Sequence, residues 1–352
     1  ALILLNQNQH ITVMRLSAMG DVAMTVPILR AFVQQNPEVR ITVVSRPFFK
    51  PFFDTIPNVS FFAFDEKSRH KGFLGLIRLF LDLKPLNIDA FADLHNVLRS
   101  KIVRTLFAIN GKKVAFVDKG RVEKKAITRF HDKIFKPLPS MFDRHVMVFQ
   151  KLGFSVDLSH PSFPPKQQLD GSIKNVLGEI LTNSATKLIG IAPFAQYDSK
   201  VYPLDLMQKV IDELALNENY KILLFGGGTK EIELLKMLSK NKPNVIVVAG
   251  KIQFEQELQL ISNLDIMLSM DSGNAHIAAM LGVNVITLWG ATHPYLGFSP
   301  FNQPQEYTLV SDRTKYPYLP TSVYGNKKVK GYEDAMRTIL PETIIQKITA
   351  SL

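Results

Sequence analysis

Residues 11–45 read ITVMRLSAMGDVAMTVPILRAFVQQNPEVRITVVS, and this stretch decides the fold class. A short apolar run, residues 11–16, is followed by apolar residues at three- and four-residue spacing, the period of a helix with one buried face. Pro37 ends that helix, and residues 41–45 form a second apolar run. A strand, a helix and a strand in this order are typical of a β-α-β unit in a parallel sheet.

The same alternation continues on both sides of a proline-rich break. Further apolar runs at residues 59–64, 88–94 and 113–117 predict a doubly wound sheet in the first half. Prolines 161, 164 and 165 interrupt any helix or central strand. The second half then restarts with five short β-type runs: KLIGIAP, KILLFGGG, NVIVVAG, LDIMLSMDSG and NVITLWGAT.

This organisation predicts two domains of α/β class. We place the first domain at residues 1–165 and the second at residues 166–330. Residues 331–352 have a helical pattern, and we expect this closing helix to pack back on the first domain. No cysteine is present, which excludes disulfides, thiol nucleophiles and zinc-thiolate sites. No apolar run approaches the roughly 18 residues of a membrane span, so we expect a cytoplasmic protein.

The net charge of +11 is carried by the first half. Residues 1–165 contain 24 Lys and Arg against 13 Asp and Glu, whereas residues 166–352 contain 18 Lys and Arg against 18 Asp and Glu. Much of the excess lies between Arg99 and Lys136. Such a field favours an anionic partner: a phosphorylated lipid surface, a polyanionic glycan or nucleic acid. A solvated basic face without a partner is the alternative.

The first candidate site lies in RLSAMGDVAMTVP, where a strand gives way to a helix. Gly20 and Asp21 fall at this turn, on the edge of an open α/β sheet where ligands bind. Glycine lets a substrate approach the backbone, and a carboxylate near a helix amino terminus is held in place. The alternative is that Asp21 serves only as a helix cap.

A second candidate site lies in SMDSGNAHIAAMLG, where polar and small residues interrupt an apolar strand and helix. Its polar members are placed at a helix amino terminus and its first turn: Asp271, Ser272, Gly273, Asn274 and His276. Free backbone N–H groups, a helix dipole, a hydroxyl and an imidazole together favour a phosphate site. An ordinary capped helix with a buried histidine is the alternative.

Two further strand-to-loop turns add candidate ligands. In IAPFAQYDSKVYP, Lys200 follows a strand and could contact a diphosphate as a point charge. In LFGGGTKEIELL, the glycines lack the spacing of a dinucleotide fingerprint or a P-loop, but they allow a nucleoside to lie against the main chain. The nucleoside-binding candidates there are Gly226, Gly227, Gly228, Thr229 and Glu231.

Taken together, RLSAMGDVAMTVPILRA and MDSGNAHIAAMLGVNVITLWGATHP resemble the heptosyltransferase family of bacterial glycosyltransferases, glycosyltransferase family 9. The segments APFAQYDSKVYP and LFGGGTKEIE also resemble that family, so the likeness spans roughly residues 11–295. The resemblance implies a GT-B architecture of two facing Rossmann-like domains. It also implies that the acceptor is held mainly by the first domain and the nucleotide sugar by the second.

The resemblance further implies the reaction. Asp21 matches the family's catalytic carboxylate and Lys200 its phosphate-contacting lysine, while Asp271, Ser272, Gly273 and His276 match its diphosphate motif. The implied activity is an inverting, metal-independent transfer of a heptose or related sugar from ADP-heptose to a hydroxyl of the lipopolysaccharide inner core. Phe194 stands where the family commonly has glycine, and Asn274 and Ala275 also depart from its motif.

No cofactor is expected on this interpretation, because the chain has no Asp-x-Asp pair to hold a divalent cation. The basic first half then predicts an anionic glycolipid acceptor and peripheral contact with the inner membrane. Ser17, Gly20, Lys112 and Lys113 are the acceptor-binding candidates. Residues 315–330 match no family segment.

Two other classes of function stay open. One is a non-catalytic nucleotide-sugar-binding protein, in which Asp21 only caps a helix. The other is a nucleic-acid-binding protein, which is disfavoured because aromatic residues are not interleaved with the basic ones and no recognised binding motif is present.

Overall fold

The structure, a computed structural model, describes residues 9–178 and 185–352. The chain divides into two compact units. The first comprises Ala1–Gly120 and Pro139–Phe163, and the second comprises Arg121–Leu138 and Pro164–Leu352. Each unit is built on a parallel sheet with helices between its strands, so the predicted doubly wound α/β class is confirmed.

In the described part of the first unit, five parallel strands lie in the order β3-β2-β1-β4-β5. The strands are β1 (His10–Met14), β2 (Arg40–Ser45), β3 (Val59–Ala63), β4 (Ala90–Asp93) and β5 (Lys113–Phe116). The helices are α1 (Met19–Gln35), α2 (Gly72–Leu83), α3 (Leu98–Ile109) and α5 (Met141–Leu152). Strands β1, β2 and β4 are almost wholly buried, which explains why their sequences are continuous apolar runs.

The strand order creates a crevice in this unit. The chain moves from β1 outward to β3 and then returns to place β4 on the other side of β1. Met14, the last residue of β1, is in register with Asp93, the last residue of β4. The loops after these two strands therefore start side by side, at the switch point where open α/β sheets bind ligands.

In the second unit, six parallel strands lie in the order β11-β10-β9-β6-β7-β8. The strands are β6 (Lys187–Ala192), β7 (Tyr220–Leu224), β8 (Val245–Val247), β9 (Ile266–Met270), β10 (Asn284–Trp289) and β11 (Thr308–Val310). The helices are α4 (Arg121–Thr128), α6 (Gly171–Leu177), α7 (Leu204–Ala215), α8 (Gly228–Ser239), α9 (Phe254–Ser262), α10 (Gly273–Met280) and α11 (Pro341–Ala350). The switch point lies between β6 and β9, where Ala192 is in register with Ser269.

The closing helix α11 packs on α7 of the second unit. Its buried residues Ile344 and Ile348 belong to the apolar core of that unit. The hydroxyl of Tyr202 donates a hydrogen bond to the carbonyl of Ile339 at 2.6 Å, which fixes the chain just before the helix.

The segment Arg121–Leu138 corrects the domain boundary. Sequence contiguity placed it in the first domain, yet it belongs to the second unit. The ammonium of Lys124 lies 4.2 Å from the ring centroid of Phe298, and the N–H of Leu138 donates to the carbonyl of Tyr295 at 2.9 Å. Long-range aromatic and backbone contacts, rather than position along the chain, therefore decide where this segment belongs.

Candidate active site

Asp21 is the third residue of α1, just beyond the carboxyl end of β1. Its Oδ2 accepts the N–H of Ala18 at 3.3 Å and forms an ion pair with Nη2 of Arg15 at 2.7 Å. A carboxylate in the first helical turn satisfies an N–H and interacts favourably with the helix dipole. Asp21 is thus a helix cap and an ion-pair partner at once, with 31% of its side chain exposed.

Arg15 holds this carboxylate in place. Only 6% of the residue is exposed, and it follows the last residue of β1. Its Nε donates to the carbonyl of Ser17 at 2.7 Å, and its Nη1 donates to the carbonyl of Leu94 at 2.9 Å. Since Leu94 follows β4, the guanidinium joins the two loops that flank the crevice of the first unit.

His95 lies in the loop after β4 and is 7% exposed. Its Nδ1 accepts the N–H of Leu16 at 3.4 Å, so the ring proton of the neutral form is on Nε2. Burial, together with the nearby Arg15 and Lys119, lowers the pKa of His95 to about 3. The imidazole is therefore neutral at physiological pH and offers an N–H donor beside Asp21.

The turn that carries His95 is fixed by Asp93. The Oδ1 of this buried carboxylate accepts the N–H groups of His95 at 2.9 Å and Asn96 at 2.7 Å, while its Oδ2 pairs with Arg104 at 2.9 Å. Sequence reasoning missed Arg15 and His95. The available signal was an ionisable residue directly after a buried strand for Arg15, and two residues after one for His95.

The acceptor-binding candidates are divided by the structure. Ser17 and Gly20 lie in the loop and first turn around Asp21. Lys112 and Lys113 lie at the amino end of β5, where Lys113 is in register with Ala90 and its Nζ donates to Leu152 at 2.8 Å. In a parallel sheet this edge is opposite to the one that carries Asp21. The two lysines are therefore outside this site, contrary to our expectation.

In the second unit, Lys200 and Asp271 lie in the segments that follow β6 and β9, and their side chains come together. Lys200 Nζ lies 3.4 Å from Asp271 Oδ2, and the same oxygen accepts the hydroxyl of Thr292 at 2.8 Å. Thr292 follows β10, so three neighbouring strands each deliver one group. Asp271 is buried, and Thr292 is a further member that sequence reasoning missed.

The amino terminus of α10 lies beside this cluster. Ser272 is the residue that precedes the helix, Gly273 and Asn274 begin it, and His276 ends the first turn. His276 is buried, whereas Ser272, Gly273 and Asn274 are half-buried. The first N–H groups of a helix have no intrahelical partner, and the helix dipole makes this end positive. The arrangement can bind an anion.

The glycine-rich turn leads from β7 into α8. Glu231 accepts the N–H of Gly227 at 2.8 Å and so caps the helix. A Cβ on Gly226 would lie 3.1 Å from Glu231 Oε2 and from Leu235, whereas a Cβ on Gly227 would meet open space. Gly228 begins α8 with φ +77°, and Thr229 follows it. The turn thus leaves main chain accessible on one side.

Within residues 9–178 and 185–352, no three His, Cys, Asp or Glu side chains come together as a candidate metal site. No helix in the same ranges has the length and apolar character to span a membrane.

Two doubly wound parallel-sheet units in one chain are the architecture of GT-B glycosyltransferases, although the fold alone does not identify an activity. The family model of glycosyltransferase family 9 (heptosyltransferase) matches residues 76–324, and the chain belongs to this family. The protein is therefore a glycosyltransferase.

Curated relatives agree with this family. Lipopolysaccharide core heptosyltransferase OpsX of Haemophilus influenzae is 26% identical over 300 residues, which are 84% of this chain and 82% of that protein. Lipopolysaccharide heptosyltransferase 2 of Salmonella typhimurium is 25% identical over 351 residues, which are 96% of each chain.

Solved structures show the same fold. A family 9 glycosyltransferase from Veillonella parvula superposes with a TM-score of 0.73 at 20% identity, covering 98% of this chain and 97% of that one. Escherichia coli heptosyltransferase WaaC with ADP superposes with a TM-score of 0.68 at 19% identity, covering 98% of this chain and all of that one.

Proposed function

We propose that this enzyme transfers a heptose from ADP-heptose to a hydroxyl of a lipopolysaccharide inner-core acceptor, with inversion, with Asp21 as the general base and without a divalent metal. The named relatives are lipopolysaccharide heptosyltransferases, and one structural neighbour was solved with ADP. The observation that carries the proposal is the fixed, partly exposed carboxylate of Asp21 at the switch point of the first unit.

Asp21 has the chemistry of the base. In an inverting transfer, the acceptor hydroxyl attacks the anomeric carbon while a carboxylate takes its proton and the diphosphate leaves from the opposite face. The ion pair with Arg15 fixes one carboxylate oxygen, so the side chain does not have to be ordered when the acceptor binds. The neutral Nε2–H of His95 would donate a hydrogen bond to the same acceptor.

The second unit would stabilise the leaving diphosphate. Negative charge builds up on its oxygens as the glycosidic bond breaks, and donors already in place stabilise that charge without reorganisation. Lys200, His276 and the N–H groups of Ser272, Gly273 and Asn274 would supply these interactions. Asp271 and Thr292 would hold Lys200 in position. The lysine and the helix terminus thereby take the part of a metal ion.

The glycine-rich turn would hold the nucleoside. The main chain at Gly226, Gly227 and Gly228 would lie against it, and Thr229 and Glu231 would bind ribose hydroxyls. The acceptor, an anionic glycolipid, would bind at Ser17 and Gly20 beside Asp21, so the enzyme would work in peripheral contact with the inner membrane.

The base is tested by Asp21→Asn, which keeps the size of the side chain but cannot accept the proton. We expect kcat for heptose transfer to fall by roughly 10²–10⁴-fold, the contribution typical of a general base. The affinity for ADP should not change. Asp143→Asn is the matched control, because Asp143 is the third residue of α5 and likewise accepts an N–H, from Ser140 at 3.1 Å. The Asp143→Asn variant loses a helix cap but keeps the proposed general base.

Two outcomes would contradict the proposal. Wild-type turnover in Asp21→Asn would leave Asp21 as a helix cap alone. A wild-type protein that binds the donor but transfers no sugar to any inner-core acceptor would indicate a non-catalytic nucleotide-sugar-binding protein instead.

The donor class is tested by thermal unfolding with ADP, UDP and GDP sugars. A ligand present at 100 times its Kd stabilises the folded state by about 2.7 kcal/mol. We expect a rise in melting temperature with ADP sugars only. An equal rise in melting temperature with UDP or GDP sugars would overturn the assignment of ADP as the nucleotide of the donor.

A further inference from the structure

Arg313 and His293 lie against the ring of Phe135 in the second unit, and Lys133 is two residues before Phe135 in sequence. The guanidinium carbon of Arg313 lies 3.4 Å from the centroid of the Phe135 ring, and the ring of His293 lies 5.0 Å from the same centroid, edge to face. Lys133 Nζ donates to the carbonyl of Pro320 at 2.9 Å, and Arg313 Nε donates to the preceding carbonyl, of Leu319, at 2.9 Å. These adjacent carbonyls bring the two cationic groups close together.

Each of the three side chains keeps hydrogen-bonding capacity. Lys133 gives a second bond to the carbonyl of Ile127 at 2.6 Å, which leaves one of its three N–H groups. In the part of the chain that the structure describes, Arg313 Nη1 has no partner. His293 is 7% exposed, and its Nδ1 accepts the N–H of Tyr295 at 3.1 Å, so the neutral ring carries its proton on Nε2.

The cluster holds positive charge that no carboxylate balances. Neither Lys133 nor Arg313 forms an ion pair with any residue in 9–178 or 185–352. Burial and the nearby Arg313 together lower the pKa of Lys133 to about 8, and burial, Arg313 and Lys133 together lower that of His293 to about 4. Carbonyl dipoles orient these groups but do not cancel their charge. Lys133 and Arg313 are half-buried, and cations that lie close together at such positions are stabilised by an anion.

We propose that Lys133, Arg313 and His293 form a phosphate-binding subsite in the second unit, separate from the groups assigned to the donor diphosphate. Three donors from three chain segments match the several oxygens of a tetrahedral phosphate, and a guanidinium can bind two of them at once. The ligand is a phosphate group other than those of the donor. This proposal does not depend on the reaction proposed above.

The subsite is tested with inorganic phosphate at constant ionic strength, in the presence of saturating ADP so that a donor site is filled. The dissociation constant is obtained from the rise in melting temperature. We expect Lys133→Gln and Arg313→Gln each to weaken phosphate binding by about tenfold or more, the effect of losing one charge-assisted hydrogen bond. Lys136→Gln removes the same charge from an exposed position in the same segment and should change binding by less than about twofold.

Several results would overturn the subsite. Wild-type protein could show no saturable phosphate binding, or the three variants could weaken it equally, as a nonspecific charge effect would. If acetate bound as tightly as phosphate, the site would be reassigned to carboxylates. If Arg313→Gln does not fold, Lys133→Gln decides, because glutamine can still donate to Pro320. The ring-proton NMR signal of His293 in wild-type protein gives a readout without any variant, and it must shift as phosphate binds. ADP binding, measured separately, reports on the proposed function alone.

Discussion

Arg15 and Asp21 meet at 2.7 Å between Nη2 and Oδ2, although the guanidinium is buried and the carboxylate is partly exposed. The carbonyls of Ser17 and Leu94 fix the arginine from two further directions. The loops after β1 and β4 therefore both hold the Arg15 guanidinium. The orientation of Asp21 consequently depends on how these two neighbouring strands lie side by side. The Asp21 carboxylate is thus positioned by the sheet as well as by its own helix.

Replacing Arg15 by lysine keeps the charge but removes the fork. We expect kcat to fall by about tenfold, equivalent to about 1.4 kcal/mol, because one ammonium cannot bind Asp21 and both carbonyls in the same geometry. The free energy of unfolding should fall by about 1–3 kcal/mol, since buried carbonyls lose their donors. Urea unfolding and steady-state kinetics measure the two effects. Arg40→Lys, at the exposed first residue of β2, is the control and should change neither. Unchanged kcat in Arg15→Lys would show that Asp21 needs no such support.

His95 makes stability depend on pH. Its pKa is about 3 in the folded protein, against about 6.5 in an unfolded chain. Between these values the unfolded state binds a proton that the folded state does not, so the free energy of unfolding falls as pH falls from about 6.5 toward 3. Above about pH 6.5 this loss of stability is absent. Between about pH 6.5 and 3 the free energy of unfolding changes by at most about 1.4 kcal/mol per pH unit.

The variant His95→Gln removes this titration. We expect the difference in unfolding free energy between wild type and variant, measured by urea unfolding at several pH values, to change only below about pH 6.5. His160→Gln, at an exposed position of the same unit, is the control. A difference that does not vary with pH would contradict the burial of a neutral imidazole.

The sequence allowed the strands and the turn at Gly20 and Asp21 to be predicted because their signals are local. Strands buried on both faces are continuous apolar runs, and the turn at Gly20 and Asp21 follows one of them directly. The edge strand β11 was missed because its three residues lie in no longer apolar run, whereas the equally short β8 lies within NVIVVAG.

The residues that were missed or wrongly assigned depend on contacts between strands that are far apart in sequence. The meaning of Arg15 and His95 depends on β1 and β4 being neighbours, although almost 80 residues separate them in sequence. Lys112 and Lys113 were assigned to the acceptor from charge density alone, which does not report which edge of a sheet a residue occupies. The position of Thr292 beside Asp271 likewise follows from the pairing of β9 with β10.

Lys200 is predicted to bind the donor rather than the acceptor. We expect Lys200→Ala to lower both the affinity for the nucleotide sugar and the turnover. The kcat/KM for the nucleotide sugar should fall by roughly 10²–10³-fold, which is the effect of removing one hydrogen-bond donor to a developing oxyanion. The KM for the acceptor should stay the same. Lys209→Ala, at an exposed position on α7, controls for the loss of charge. A change confined to acceptor KM would place Lys200 in another role.

Gly325 is predicted to set the position of Lys200. It has φ +85°, and a Cβ there would lie 2.6 Å from Cγ and 2.7 Å from Cδ of Lys200. The hydroxyl of Ser199 donates to the carbonyl of Gly325 at 2.6 Å, which keeps the two segments in contact. A methyl group at residue 325 must therefore displace the lysine stem. We expect Gly325→Ala to raise the donor KM by about tenfold.

The backbone strain of this substitution needs a control of its own, and the chain provides one. Gly331 also has φ +85°, but a Cβ there would meet nothing within 4 Å. Both alanine variants should therefore lose a similar roughly 1–2 kcal/mol of stability from the left-handed conformation, as measured by thermal unfolding. Only Gly325→Ala should change the donor KM, because only there does the new methyl group meet Lys200. Equal kinetic effects in the two variants would show that strain, and not the contact with Lys200, is responsible.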